Sequence, residues 1–486
     1  MIKKVKKLFF SDSKTVRGTI FKNFIWLITG NAGSRFFKAL IVIYATRKLG
    51  VEGYGVFSYV LGLAGFFTFF KNIGVDAILT REIAKKPEER HIYLSTSFWI
   101  EIVLLIITAL LVIFIAPLFS GVKSAVVLFP FAALIFIFDD LRDLFTAFFR
   151  GKEKMELEAL IITVGNISLV VFGFIALYFW PTPKSFIAAS SAASFVGVLA
   201  AIFLLRSFIN GIIKNFKRKL VMPILKSALP FAVGGLAGAF LFNVDIVMLG
   251  WWKTTEEIGF YSAAQKLVGI LAIFPGFAAA AIFPSLSRFA HSDREKMKII
   301  SQGALKIIFI VAIPLIIGGF ILKNSLISFI FGPSYAPAAN VFAILLFSIL
   351  AIHPLPILSN LLFAFDKQSK MIRCAFISSL CNLMFNFLLI PWYGMAGAAI
   401  ATLISFFVYI ILLWRETKKM QDFHIAAELL KPAIGALLMG FFTYVLKLSG
   451  VHVLANVIIS AVFYLLCLYL LKEKILEEIF VVFKNK

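Results

Sequence analysis

About fourteen apolar stretches of about twenty residues each run through the chain, and this pattern limits its fold more than any other feature. Such a stretch is long enough to cross the hydrocarbon core of a bilayer as an α-helix. Hydrophobic residues make up 61% of the chain, whereas soluble domains contain about 45–50%. The sequence therefore predicts an all-α, polytopic membrane protein with about fourteen transmembrane helices. The second of these spans is expected to cover residues 54–79 as one helix.

The basic residues indicate on which side of the membrane each loop lies. The chain has 48 Lys and Arg against 25 Asp and Glu, and most of the cations fall in the longer, alternate loops. Because positive loops are retained in the cytoplasm, we predict that both termini are cytoplasmic and that the protein lies in the plasma membrane. Attraction to anionic membrane lipids explains the remaining charge excess, and no motif indicates nucleic acid as a partner.

Two internal similarities predict a duplicated bundle. The second span resembles the eighth, in a register that aligns Gly55 with Gly259. The junction of the fourth and fifth spans resembles that of the tenth and eleventh, in a register that aligns Lys154 with Lys370. Six helices followed by six related helices form a parallel repeat, here two pseudo-twofold-related lobes around a central cavity. Exposing such a cavity to each side in turn is how secondary transporters work.

The domain boundaries follow from these two lobes. The predicted ranges are a basic N-terminus (1–20), an N-lobe (21–209), a linker (210–224), a C-lobe (225–414), a second linker (415–430), helices 13 and 14 (431–472) and a tail (473–486). The sequence has no nucleotide-binding loop and no acidic metal cluster, so it indicates neither an enzyme nor a cofactor or metal. Energy would then come from an ion or substrate gradient or from the membrane potential.

Ionisable residues inside the spans are the candidate functional residues, because a charge at bilayer depth costs about 2.5–3.5 kcal/mol. Arg35 and Lys38 are three residues apart, so they share one face of the first helix and form an anion site suited to phosphate. The alternative is that either cation pairs with an acidic neighbour such as Asp76 or Glu101. Lys266 is a further candidate for substrate contact.

A second group of charged residues is predicted to act in gating or ion coupling. Its members are Lys71, Asp76, Glu101, Asp139, Arg142, Asp143 and His353. In the fourth span, Asp139 can share a helix face with Arg142 or Asp143. A gate-locking ion pair, snorkelling to the interface and substrate contact are the three alternatives for these residues.

Two further residues of the C-terminal half carry expectations. His353 precedes Pro354, and a proline there must interrupt the helix of the tenth span. The imidazole is either a packed residue or a proton carrier. Lys306 lies close enough to a helix end that we expect it to snorkel to the interface.

Four motifs make the chain resemble a known family. They are Leu49-Gly50 followed by Gly53-Tyr54-Gly55, Asp245-Ile246-Val247-Met248-Leu249-Gly250, Phe283-Pro284-Ser285, and Ile390-Pro391-Trp392-Tyr393-Gly394. As a set they resemble the polysaccharide-transport flippases of the multidrug/oligosaccharidyl-lipid/polysaccharide (MOP) exporter superfamily. The likeness extends over nearly the whole chain.

This resemblance implies Wzx-like activity. A polyprenyl-diphosphate-linked oligosaccharide would move from the cytoplasmic to the outer leaflet by alternating access, for surface polysaccharide or glycoprotein assembly. Ser34-Arg35 resembles the Ser-Arg of lipid II flippases, which implies diphosphate contact by Arg35, and helices 13 and 14 would form a groove for the polyprenyl tail. A proton or a sodium ion is the candidate counter-ion.

Two other functions stay open at this point. A cation-coupled multidrug antiporter of the same superfamily is expected to have an acidic, aromatic cavity. A membrane-embedded glycan polymerase or ligase is expected to have a large external loop with catalytic Arg or His, and the loops predicted to be external are short.

Overall fold

The described residues fall into two compact units. A computed structural model describes residues 16–68, 73–290, 292–422 and 425–473, and gives only the backbone of 16–36, 210, 230, 233, 242, 426 and 427. Unit 1 is Met1–Trp251 and unit 2 is Trp252–Lys486. The lobe boundaries expected from the sequence, with a linker at 210–224, stay a prediction.

Unit 1 consists of helices and short turns over its described part. Its α-helices are α1 (Val16–Phe67), α2 (Val75–Lys85), α3 (Arg90–Leu110), α4 (Phe129–Gly151), α5 (Met155–Phe179), α6 (Pro183–Leu204), α7 (Ile209–Lys214) and α8 (Arg218–Trp252). A π-helical segment, Leu111–Ile115, continues α3. Helix α5 packs against both α1 and α6, and α4 packs against α6.

Unit 2 has the same character. Its α-helices are α9 (Thr255–Leu271), α10 (Phe274–Phe289), α11 (Arg294–Phe331), α12 (Ala338–Leu346), α13 (Ile349–Ile352), α14 (Leu355–Ala364), α15 (Gln368–Lys418), α16 (Leu430–Leu448) and α17 (Val453–Leu470). Helices α16 and α17 pack on each other and on α11. No β-strand occurs in the described ranges of either unit, so the all-α prediction is confirmed.

Eleven helical stretches of the described part, some of them made of consecutive helices, are long and apolar enough to cross a membrane, or twelve if one bent pair in α8 counts as a single span. Two of the longest are each two helical segments joined at a glycine, Gly50 in α1 (φ 69°) and Gly394 in α15 (φ 55°). Glycine adopts these positive φ angles readily. The chain therefore turns inside α1 and inside α15, while the total of fourteen spans stays a prediction.

Helix ends show the first internal repeat. The register that aligns the second span with the eighth also superimposes the ends of α1 and α9, at Phe67 and Leu271. In the same register the ends of α2 and α10 coincide, at Lys85 and Phe289. The same second span, broken in the same place, therefore occurs in each unit.

The second repeat has a different register from the expected one. Helices α4 and α14 end at Gly151 and Ala364, and the turns after them contain positive-φ residues Glu153 and Asp366. The two members of each pair are separated by the same number of residues along the chain. This separation is smaller than that between Lys154 and Lys370 by almost one helical turn, so the expected register is wrong. Apolar residues recur on a helix at about this spacing, so chance identities between Phe- and Ile-rich segments do not fix the register.

The predicted single helix over residues 54–79 is wrong. Helix α1 ends at Phe67 and α2 begins at Val75, after Gly74 with φ 93°. A Cβ atom at Gly74 would collide with Phe231 of α8, so the close approach of these helices requires glycine. Asp76 consequently lies in the first turn of α2, where the helix dipole stabilises a carboxylate.

The interruption predicted in the tenth span is confirmed. Three short helices, α12, α13 and α14, replace one long helix, and Pro354 occupies the position before α14. Proline lacks the amide hydrogen that a continuous helix would use.

Substituting Gly394 tests the turn inside α15. Glu257 Oε2 accepts a hydrogen bond from the backbone N–H of Met395 at 2.9 Å, and a Cβ at Gly394 would collide with that carboxylate. We expect Gly394→Ala to destabilise the protein by about 2 kcal/mol, through both the positive φ and the clash. Thermal unfolding of purified protein, followed by tryptophan fluorescence, measures the change.

Gly269→Ala is the matched control, because this glycine of α9 has no atom within 4 Å of the added methyl group. It should be neutral or stabilising by less than about 1 kcal/mol. Equal unfolding temperatures for the two variants would contradict a strained turn at Gly394.

Candidate functional site

Charged side chains follow one another along α4. Arg142 Nη1 lies 2.8 Å from Asp139 Oδ1, and Arg142 Nη2 lies 3.1 Å from Asp143 Oδ1. The predicted sharing of a face by Asp139 and Arg142 is confirmed, with Asp143 bound to the same guanidinium. One cation thus holds two carboxylates, and the neighbouring Asp140 is buried, with 6% of its surface exposed.

Two glycines make room for Arg142. A Cβ at Gly197 of α6 would lie 3.1 Å from Arg142 Cδ, and one at Gly165 of α5 would lie 3.7 Å from Nη1. The same Cβ of Gly165 would be 3.8 Å from Gly197 Cα, so the two glycines face each other. We call this place the glycine notch. The side chain of Arg142 in this notch is only 19% exposed. This low exposure favours a fixed ion pair over snorkelling to the interface.

A second ion pair closes the turn between α4 and α5. Arg150 Nε lies 3.2 Å from both carboxylate oxygens of Glu158, whose surface is 3% exposed. Asp76 and Asp143 also act electrostatically on Arg150. Neither Arg150 nor Glu158 is among the candidate residues predicted from the sequence. The available signal was a cation and a carboxylate on opposite sides of a short turn.

The expectation that Lys306 snorkels is wrong. Its Nζ lies 2.6 Å from Glu473 Oε1 and 3.2 Å from Glu428 Oε2, and the side chain is 11% exposed. Glu473 follows α17 and Glu428 precedes α16, so one lysine of α11 fixes both ends of the C-terminal helix pair. We call these three residues the Lys306 clamp. The great separation of its members along the chain explains why the sequence did not indicate it.

His353 lies where two helix breaks of unit 2 meet. Its ring is fully buried, between α13 and Pro354, and is next to the backbone of Leu271 at the end of α9. The register that superimposes the ends of α4 and α14 aligns His353 with the buried Asp140 of unit 1. The break therefore places a titratable side chain at corresponding positions of the two units.

The remaining predicted residues lie on other helices or outside the described part. The backbone of Arg35 belongs to α1, but its side chain lies outside the described residues, as does the whole of Lys71. Lys38 and Lys266 are exposed, and Glu101 on α3 is 3% exposed. The predicted anion site at Arg35 and Lys38 therefore stays a prediction. Within the described ranges, no group of three or more His, Cys, Asp and Glu is arranged to hold a metal ion.

An apolar groove of about 500 Å³ lies in unit 2. Its walls come from α9, α11, α12, α16 and α17, with Gly318, Met439 and Val457 among the lining residues. Tyr464 Oη donates a hydrogen bond to the carbonyl oxygen of Ile310 at 2.9 Å, which ties α17 to α11 at the groove. The Lys306 clamp holds the same two walls together, so the groove is a built feature.

Comparisons with known proteins agree with this fold. A family model described as "Polysaccharide biosynthesis protein" matches residues 20–290, and one described as "MatE" matches residues 230–388. The fold is similar to that of a solved structure of the lipid II flippase MurJ in an inward closed conformation. The TM-score is 0.75 at 18% identity, over 92% of this chain and 99% of that one.

Two curated relatives illustrate the sequence similarity. A putative O-antigen transporter of Shigella flexneri is 25% identical over 82% of this chain and 98% of its own length. The probable low-salt glycan biosynthesis flippase Agl15 of Haloferax volcanii is 23% identical over 80% of this chain and 81% of its own length.

Removing the cation of the Lys306 clamp should loosen the C-terminal helix pair. Lys306→Met leaves the buried carboxylate of Glu473 without its partner, and we expect a loss of about 3 kcal/mol in stability. Cys467 of α17 is buried and reports on this contact. In a Cys374→Ala, Cys381→Ala background, thiol labelling of Cys467 should accelerate at least roughly tenfold.

Lys296→Met is the control, because the pair of Lys296 with Asp293 on the same helix is exposed and contributes little. The charge-swapped pair Lys306→Glu with Glu473→Lys should slow the labelling again. Unchanged labelling in Lys306→Met would exclude the clamp as the attachment of α17.

Proposed function

The chain belongs to the polysaccharide biosynthesis protein family, and on that basis we propose that it is a flippase for a lipid-linked oligosaccharide. The family model covers more than half of the chain, and relatives along most of its length are named as O-antigen transporters and glycan flippases. The cargo is a polyprenyl-diphosphate-linked oligosaccharide that moves from the cytoplasmic to the outer leaflet. The protein is a transporter and not an enzyme.

The apolar groove of unit 2 is the observation that carries this proposal. A lipid tail must stay in an apolar environment while its glycan crosses the membrane, because exposing hydrocarbon to water costs about 0.8 kcal/mol per CH₂ group. The groove offers such a surface, lined by Gly318, Met439 and Val457. Helices α16 and α17, which have no counterpart in the internal repeat, form one of its walls.

The diphosphate needs cations that the tail groove lacks. We assign it to Arg35 and Lys38 of α1, with Lys266 of α9 as a further contact. Arginine binds two phosphate oxygens through its planar fork, and lysine adds a point charge. Lys38 and Lys266 are both exposed, which supports this assignment because a buried cation could not contact a substrate.

Gating is assigned to the ion pairs of α4. Asp139, Arg142 and Asp143 form a connected set that a change of protonation or the binding of a cation can alter. Lys71, Asp76, Glu101 and His353 complete the candidate coupling residues, and a proton or a sodium ion is the proposed counter-ion. An inside-negative potential assists directly, by about 2.3 kcal/mol per expelled negative charge per 100 mV.

The proposed topology places both termini in the cytoplasm and the protein in the plasma membrane. Six helices on each side of a central cavity, with boundaries at 21–209 and 225–414, would rock to expose the cavity alternately. The predicted helices 13 and 14, at 431–472, correspond to α16 and α17. This pair stays attached to the second lobe through the Lys306 clamp.

A multidrug antiporter is the second candidate, favoured by the match of residues 230–388 to the MatE model. Such a protein binds organic cations and needs an acidic cavity, so the two functions predict opposite charges at the binding site. A glycan polymerase or ligase lacks comparable support.

Reconstitution tests the proposed activity. Purified protein in liposomes should carry a fluorescent polyprenyl-diphosphate oligosaccharide to the opposite leaflet, where a membrane-impermeant quencher detects it. Arg35→Ala should abolish this transfer, and Arg35→Lys should restore less than roughly half of the rate because the bidentate grip is lost. Lys123→Ala, an exposed loop cation, is the control.

Full transfer by Arg35→Ala would remove Arg35 from the substrate site. Absence of transfer by the wild type, together with cation-driven efflux of an organic cation such as ethidium, would instead establish the antiporter.

A bulky residue in the groove separates tail binding from glycan binding. Val457→Trp fills part of the groove, whereas Val462→Trp adds the same bulk to an exposed position of α17 outside the lining. We expect Val457→Trp to reduce transfer of a long-chain substrate at least roughly tenfold, and a short-chain analogue to be affected little. Equal effects of the two variants in the liposome assay would argue against a tail groove.

A further inference from the structure

A cluster of cations surrounds one phenylalanine in unit 1, away from the ion pairs of α4. The Nζ of Lys152 lies 4.5 Å from the ring centroid of Phe208 and 5.5 Å from that of Phe148. The guanidinium of Arg90 lies 5.6 Å from the Phe208 ring, and the His91 ring stacks on it at 5.1 Å. The start of α3 and the turn after α4 thus bring positive charge to one place, which we call the Phe208 cluster.

These charges are not neutralised by ion pairs within the described ranges. Neither Arg90, Lys152 nor Lys154 has a carboxylate within 4.0 Å there; Glu89, the neighbour of Arg90, binds Lys86 instead. The pKa of Lys152 is lowered by burial and by the positive charges of Arg90 and Lys154. An anion bound among these side chains would relieve their mutual repulsion.

Two apolar grooves begin beside the cluster, with volumes of about 570 and 340 Å³. They share Trp99 of α3 and Ile213 of α7 in their walls, so the two grooves adjoin. Trp99 lies nine residues after Arg90, about 13 Å further along α3. The hydrocarbon half of one leaflet is about 15 Å thick, so the acyl chains of a phospholipid whose head group lies at Arg90 extend far enough to reach Trp99.

The short helix α7 is fixed over α3 by side-chain hydrogen bonds. The Ser95 hydroxyl donates to the carbonyl oxygen of Ile212, and the Lys217 N–H donates to Thr96 Oγ1 at 3.2 Å. A Cβ at Gly211 would lie 3.2 Å from His91 Nδ1, so α7 also approaches the cluster closely. The grooves and the cations therefore form one ordered surface.

We propose that the Phe208 cluster and the two grooves bind an anionic diacyl phospholipid. The phosphate lies between Arg90 and Lys152, and one acyl chain follows each groove. Two adjoining grooves fit a lipid with two chains, whereas a polyprenyl carrier has a single chain. The site is thus distinct from the groove of unit 2 and from the cargo, and the proposal does not depend on the transport function.

Trp99 itself reports on the occupant. The protein is placed in vesicles of phosphatidylcholine in which either phosphatidylglycerol or phosphatidylcholine carries brominated acyl chains, which quench tryptophan on contact. The contribution of Trp99 is the difference from Trp99→Phe, since the chain has seven tryptophans. We expect bromo-phosphatidylglycerol to quench Trp99 preferentially, and each cation removed by Arg90→Gln or Lys152→Gln to reduce this preference about fivefold.

Lys184→Gln is the control, because this lysine also lies over a phenylalanine, Phe131 at 5.6 Å, but outside the cluster. Equal quenching by the two brominated lipids, or a preference unchanged in Arg90→Gln/Lys152→Gln, would overturn the proposal. Displacement of bromo-phosphatidylglycerol by equimolar polyprenyl diphosphate would overturn it in favour of the substrate lipid. If millimolar inorganic phosphate abolished the preference for bromo-phosphatidylglycerol, the site would bind free anions and the proposal would be overturned. If the preference persisted in phosphate, the result would support the phospholipid.

Discussion

The hydrocarbon core offers no hydrogen-bond partner to a polar group, and this constraint decides where the helices of this protein can end. The chain turns sharply at Gly50 and Gly394, where positive φ lets one helical segment follow another directly. Other breaks interrupt predicted spans, at Phe67–Val75 and Leu271–Phe274. The helices before these breaks end at corresponding places of the two units. Breaks inside a bilayer are tolerated only where protein or water satisfies the freed backbone groups.

Buried charged side chains also need partners, and the two units supply these partners differently. Unit 1 places its ion pairs within and beside α4, where Arg142 and Arg150 bind neighbouring carboxylates. Unit 2 uses Lys306 to join segments that are distant along the chain. At corresponding positions, Asp140 of unit 1 is acidic and His353 of unit 2 is a neutral or cationic ring. A duplicated framework thus carries unequal chemistry, as a transporter of a polar, asymmetric substrate requires.

Local sequence signals predicted most of the framework. Long apolar stretches predicted the helices and Pro354 predicted a break, because each effect acts within a few residues. The broken second span was missed because apolar residues flank Lys71 and Asn72 closely on both sides, so the stretch as a whole still has the length and hydropathy of one span. Glu158 and Glu473 were missed since recognising a buried ion pair requires knowing which helices meet. The helix ends determine the register of the second repeat, because each helix ends at only one place. Identities between apolar residues do not determine it, because apolar residues recur with each helical turn.

The glycine notch has a mechanical consequence. A guanidinium seated between Gly165 and Gly197 prevents α4 from sliding along α5 and α6, because moving by one residue would drive the arginine against a helix backbone and detach it from Asp139. These three helices therefore move as one block. The π-helical segment Leu111–Ile115, which continues the neighbouring α3, lies outside this block, and breaking the Arg142–Asp139 contact would release the block itself.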